Sequence, residues 1–131
     1  NLLVIEDAAE AQGATYKDKK VGSLADMAVF SFFGNKIITT GEGGMIVTDN
    51  REIAEKCRVL RDHGMSKEKR YWHEVVGYNY RMTNIQATLG LSQLNNIKNV
   101  VKKKMTVDIY IFSICCSSFY LVRLNNICKQ H

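Results

Sequence analysis

Proline is absent from all 131 residues, which excludes Pro-rich linkers and polyproline ligands. Cysteine is scarce, and three of the four, Cys115, Cys116 and Cys128, crowd toward the end of the chain. No cysteines or histidines fall at zinc-ligand spacing, and nothing outlines a disulfide framework. Cys57, alone in the body of the chain and inside a helical pattern, reads as a reduced, buried thiol. Long apolar runs are missing too. The apolar segment Ile109–Val122 has fourteen residues, about 21 Å as a helix against a hydrocarbon core of roughly 30 Å. A membrane span is therefore not expected. With no recognisable signal peptide either, a cytoplasmic protein is the expectation. Nucleotide fingerprints are lacking as well, because GEGG (Gly41–Gly44) has neither GxxxxGK[ST] nor GxGxxG spacing.

Charge is present, but badly distributed for a nucleic-acid surface. The formal net charge is +5. Residues 1–97 hold twelve Lys/Arg and twelve Asp/Glu, whereas residues 98–131 hold six Lys/Arg against Asp108 alone. A basic tail on a neutral body does not make a charged groove. The length suits one modest domain. Starting at Asn1 directly in an apolar run, the chain reads as an interior piece of a longer protein.

Three apolar runs suggest strands. LLVI (Leu2–Ile5) is short and continuous, as expected for a strand covered on both faces of an α/β protein. AVFSFF (Ala28–Phe33) and MIVTD (Met45–Asp49) follow, separated by Gly34–Gly44, which is too long for a tight hairpin turn. Asn50 then caps a helix with Ile53, Ala54, Cys57 and Leu60 on one face and Gly64 as its stop. MSKEKRYWHE reads as a surface loop. Thr83-Asn-Ile-Gln86 is a capping-box pattern opening a second helix. Ile85, Leu89, Leu94, Ile97 and Val101 continue its apolar face, and Lys102–Lys104 suit its negative C-terminal end.

Polar groups at strand ends are where α/β folds place their sites. Asp7, Ser31 and Lys36 are the candidates, and each has a plain structural alternative. Asp7 could cap a following helix, Ser31 could bond to backbone, and Lys36 could be a solvated loop charge.

Taken together the residues say more. EDAAEAQGATY, SFFGNKIITTGEGGMIVTD and RYWHEVVGYNYRMTNIQATLGLSQL occur in that order, and they resemble the pyridoxal-phosphate-dependent sugar aminotransferases of the DegT/DnrJ/EryC1/StrS family. The third motif looks most like perosamine synthases and related 4-amino-sugar enzymes within it. The resemblance covers about residues 1–100. It implies an α/β fold: a partial large domain of the aspartate-aminotransferase type (fold type I), mostly parallel sheet with helices, over residues 1–104. Residues 105–131 form a divergent basic and apolar tail without family resemblance.

The resemblance also implies pyridoxal 5′-phosphate as cofactor, with Lys36 as the catalytic lysine that carries it covalently. Asp7 would pair with the pyridine nitrogen and Glu10 would contact the ring hydroxyl, against the alternative of a surface glutamate in a first helical turn. Ser31 would bind the phosphate. Asn79, in GYNYR, would reach the phosphate of the neighbouring subunit's cofactor, which implies a homodimer; its alternative is a turn asparagine between tyrosines. Tyr71, Trp72 and His73 would line the sugar-nucleotide pocket or merely pack their loop. Gln12, where relatives often have His, receives no role. No metal, membrane or nucleic-acid partner is expected. The implied activity is transfer of an amino group from glutamate to a 4-keto-6-deoxy sugar nucleotide, as in polysaccharide and lipopolysaccharide O-antigen biosynthesis. A dehydratase of the same family would carry histidine in place of Lys36. A non-catalytic remnant or interaction module is the remaining alternative.

Overall fold

The computed structural model describes residues 2–127; from residue 112 onward, Ser113 is the only side chain described. The side chains of Cys115 and Cys116, and Cys128 altogether, therefore lie outside it. The chain divides into two compact units at Ile97/Lys98.

The first unit is built on a three-stranded sheet in the order β1-β4-β5. β1 (Ile5–Asp7) runs parallel to β4 (Met27–Ser31), and β5 (Gly44–Val47) runs antiparallel to β4. A parallel pair needs a crossover. Here the crossover carries a small hairpin, β2 (Thr15–Tyr16) and β3 (Lys19–Lys20), which the sequence reading did not anticipate. Its turn residues, Lys17 and Asp18, both have positive φ (46° and 63°), as a two-residue hairpin turn demands. Glu6 pins the return path: its carboxylate accepts from the Gly22 N–H at 2.9 Å and the Leu24 N–H at 3.2 Å.

β1 begins three residues later than the apolar run suggests. Ile5 pairs with Met27, the first residue of β4. Before that point the partner is Asp26, whose carboxylate takes the Val4 N–H at 2.8 Å. Leu2, Leu3 and Val4 consequently stay outside the sheet and exposed. The far end of β4 differs similarly. Phe32 leaves the strand ladder to bond with the following loop, accepting from the Thr40 N–H at 2.9 Å and donating to the Gly43 carbonyl at 2.8 Å.

α1 (Arg51–Leu60) starts as expected. Asn50 Oδ1 accepts from the Glu52 and Ile53 N–H groups at 2.9 and 3.2 Å, satisfying donors that the first turn leaves open. Cys57 is half-buried rather than buried. Gly64, at φ +67°, returns its N–H to the Val59 carbonyl beyond the helix end. Glu55 on α1 accepts from Lys67 and Arg58, and the Lys67 hydrogen bond leads in holding its carboxyl below the ordinary range.

α2 (Asn84–Leu94) carries the anticipated capping box: Thr83 and Gln86 satisfy each other's backbone N–H groups. Thr83→Ala is expected to cost about 1 kcal/mol of local stability, seen as faster amide exchange at Gln86 with α1 unaffected. The helix does not continue through Val101. It stops at Leu94, with Asn95 as C-cap, and α3 (Ile97–Ile127) follows after Asn96. Lys102–Lys104 thus lie within α3 and not at the end of α2.

The face of α2 turned to the rest of its unit lies beside the Ile85–Leu89 stripe and is polar. Gln86, Gly90 and Gln93, one stripe at helical spacing, meet the Thr39–Glu42 loop, while Ile85 and Leu89 remain 77% and 52% exposed. Among the described residues the buried apolar core is small: Ala8, Ala28 and Ile38. No described helix is long and apolar enough to cross a membrane.

Candidate functional site

Parallel pairing of β1 with β4 puts their C-terminal ends side by side. Asp7 registers with Val29, so Asp7 and Ser31 both close that edge of the sheet. Asp7 caps no helix, since the chain turns after it. One of its carboxylate oxygens takes the Ala9 N–H at 3.1 Å. The Ser31 hydroxyl accepts from the Phe33 N–H at 3.3 Å. A tight turn then leads to Lys36, whose N–H bonds back to the Phe33 carbonyl at 3.1 Å.

Lys36 is not a solvated loop charge. Its side chain is only 11% exposed, and its ammonium is paired with the carboxylate of Glu10. Glu10 itself is 78% exposed and sits in a turn, not in a helix. Four of the anticipated residues, Asp7, Glu10, Ser31 and Lys36, are thereby gathered at one edge. The backbone leaves room beside them: a Cβ on Gly34 would meet nothing within 4 Å. At Gly43 the chain takes φ +135°, and a Cβ there would approach Thr40 Oγ1 to 2.9 Å, so only glycine fits.

Asn79 belongs to a different segment. It bridges Asp62 in an extended, antiparallel arrangement, which removes the reading of a turn asparagine. Around it, His63 N–H donates to Tyr78 O at 2.9 Å and Tyr80 N–H to Arg61 O at 2.9 Å. The rings of Tyr78 and Tyr80 stack at 5.1 Å. An open depression of about 360 Å³ lies here, lined by Asn79, Asp62, Arg81 and Thr83 among others, and not at Lys36. In the loop before it, Lys69 lies over the Trp72 ring at 4.4 Å and Arg70 over Tyr71 at 4.9 Å. His73 contacts the His63 carbonyl through Nδ1 at 2.8 Å.

One residue at the edge had no assigned role in the sequence reading. Gln12 is buried, 6% exposed, and its amide faces the Lys36 loop. It donates to the Ser31 carbonyl at 2.6 Å and accepts from the Ile38 N–H at 2.7 Å.

Comparison with known proteins decides the family. The DegT/DnrJ/EryC1/StrS aminotransferase family profile matches residues 1–112. The chain belongs to that family. GDP-perosamine synthase of Caulobacter vibrioides is 67% identical over 97 residues, covering 74% of this chain and 26% of the relative. Among solved structures, Helicobacter pylori PseC, an aminotransferase of pseudoaminic acid biosynthesis, matches with a TM-score of 0.70 at 42% identity, over 74% of this chain and 27% of that one. Spr1654 of Streptococcus pneumoniae, in its PLP form, matches with a TM-score of 0.67 at 35% identity, over 74% and 26%. The chain thus spans about a quarter of the length of the family members it matches.

The gathered donors fit the cofactor of this aminotransferase family. An amine, a carboxylate at a strand end, a hydroxyl and open space beside Gly34 are the groups that pyridoxal phosphate requires. Among the described residues no cluster of His, Cys, Asp or Glu could hold a metal ion.

Proposed function

We propose that this chain carries the cofactor-holding part of a sugar-nucleotide aminotransferase, which moves an amino group from glutamate to a 4-keto-6-deoxy sugar nucleotide. The observation that carries the reading is Lys36: a largely buried amine, paired with Glu10, at the edge shared with Asp7 and Ser31. When bound, pyridoxal phosphate supplies a reactive carbonyl carbon and an electron-withdrawing ring. Lys36 would provide the amine that holds that carbon, and its Nζ would hold and move a proton. The Asp7 carboxylate would keep the ring nitrogen protonated, Ser31 would donate to the phosphate, and Glu10 would serve the ring hydroxyl. Asn79 completes the phosphate site of a partner copy, which makes the working unit a homodimer in the cytoplasm.

A chimera tests this. The 97-residue stretch that is 67% identical to the Caulobacter enzyme replaces the matching segment there. The chimera is expected to keep glutamate-dependent formation of GDP-perosamine. A folded, dimeric chimera that binds the cofactor but transfers no amino group would overturn the reading.

The bare chain is a different matter. Exposed Leu2, Leu3, Ile46 and Ile85 support a second reading, in which the 131 residues alone form a non-catalytic remnant. The isolated chain is expected to show no turnover, and turnover by it would remove this reading.

A further inference from the structure

Lys36 rides on a loop, and loops do not hold an amine in place unless something ties their ends. The Thr40 N–H and the Thr39 hydroxyl tie the loop to the Phe32 carbonyl, and inside them one buried side chain spans the segment from Ser31 to Ile38. Gln12 Nε2 donates to the Ser31 carbonyl at 2.6 Å, and Gln12 Oε1 accepts from the Ile38 N–H at 2.7 Å. A longer contact of 3.5 Å reaches the Ile38 carbonyl. Both ends of the amide are used, in a buried place where an unmade hydrogen bond is costly. The next residue is held in the same way from α2: Thr39 N–H donates to Gln93 Oε1 at 3.1 Å, and Gln93 Nε2 donates to Thr39 O at 2.7 Å.

We infer that Gln12 is a positioning residue, a staple that fixes the separation between the Ser31 hydroxyl and the Lys36 amine. The inference rests on the cofactor reading for its consequence: that separation must match the distance between the phosphate and the carbonyl carbon of one ligand. Gln12 touches neither reacting atom. It sets where they meet the chain, while Gln93 anchors the loop's far side independently.

The test uses the 131-residue chain with Gln12→Ala and Gln12→Glu. Gln12→Ala removes both bonds. Gln12→Glu keeps an acceptor for Ile38 but loses the donor to Ser31. In Gln12→Ala, amide exchange at Ile38 is expected to accelerate roughly tenfold, with Thr39 and Phe32 still protected. Both variants are expected to lower the ratio of Lys36 labelling by pyridoxal phosphate to labelling by pyridoxal toward that of exposed Lys17. Unchanged Ile38 exchange, or an unchanged ratio in both variants, would overturn the inference. So would joint loss of protection at Ile38, Thr39 and Phe32, which would make Gln12 a general packing residue. A wild-type ratio no higher at Lys36 than at Lys17 would sink the cofactor reading instead, and Ile38 exchange would still decide the staple.

Discussion

Lys36→Ala in the chimeric enzyme is expected to lower amino transfer by roughly 10⁴-fold, because in the proposed function bonding the carbonyl carbon and moving the proton would both depend on this amine. Lys36→Arg is the sharper comparison. Arginine keeps the positive charge for Glu10 but offers no nucleophilic amine at working pH. If Lys36 acts only as the buried partner of an ion pair, arginine should rescue much of the activity. If it does the chemistry, both variants should be equally inactive while the chimera still folds. Steady-state rates with glutamate and the keto-sugar nucleotide, together with thermal unfolding of each variant, separate the two outcomes.

The second large effect is structural. Gly64 and Gly77 let two backbone segments approach more closely than any side chain allows. A Cβ on Gly77 would lie 2.0 Å from the Gly64 nitrogen and 2.4 Å from the His63 carbonyl carbon. A Cβ on Gly64 would lie 2.0 Å from the Val75 carbonyl oxygen, and φ +67° adds strain there. The obstacles are backbone atoms, so no rotamer change relieves them. Gly77→Ala is expected to cost on the order of 3 kcal/mol or more. The loss should fall on the pairing that carries Asn79. Amides of His63, Tyr78 and Tyr80 should lose protection, while the β1–β4 pairing keeps its own. Retained protection at those three amides would show that the segments have slack that the geometry denies.

Local features were the legible ones. Asn50 and Thr83 declare themselves because a helix cap is written in residues two or three apart. Features that depend on distant partners were not. β1 is trimmed to Ile5–Asp7 by where β4 begins. The Lys17-Asp18 hairpin is local, but it lacks the Asn-Gly wording that usually announces such a turn. Periodicity misassigned the packed face of α2, because Gln86 and Gln93 dock by hydrogen bonds while Ile85 and Leu89 face outward. A chain spanning about a quarter of its relatives offers few elements to cover that apolar stripe.

The site divides in the same way. Asp7, Ser31 and Lys36 were read from the wording of three motifs, with strand ends as a general guide to where polar groups matter. Their gathering at one edge follows from parallel pairing in register. Gln12 could not be found by spacing. Its partners lie 19 and 26 residues away, and its role appears only when the loop returns over it. The one available signal was an uncharged polar residue in a segment already crowded with candidate site groups.

One labelling measurement bears directly on the proposed hold of Lys36 on the cofactor. The 131-residue chain is mixed with pyridoxal phosphate, reduced with borohydride and mapped by peptide mass. The chain has twelve lysines, ample adventitious sites, so the position of the label is informative. Preferential incorporation is expected at Lys36, despite its 11% exposure, at concentrations where Lys17 and Lys69 remain unlabelled. Label spread over exposed lysines with Lys36 spared would contradict it.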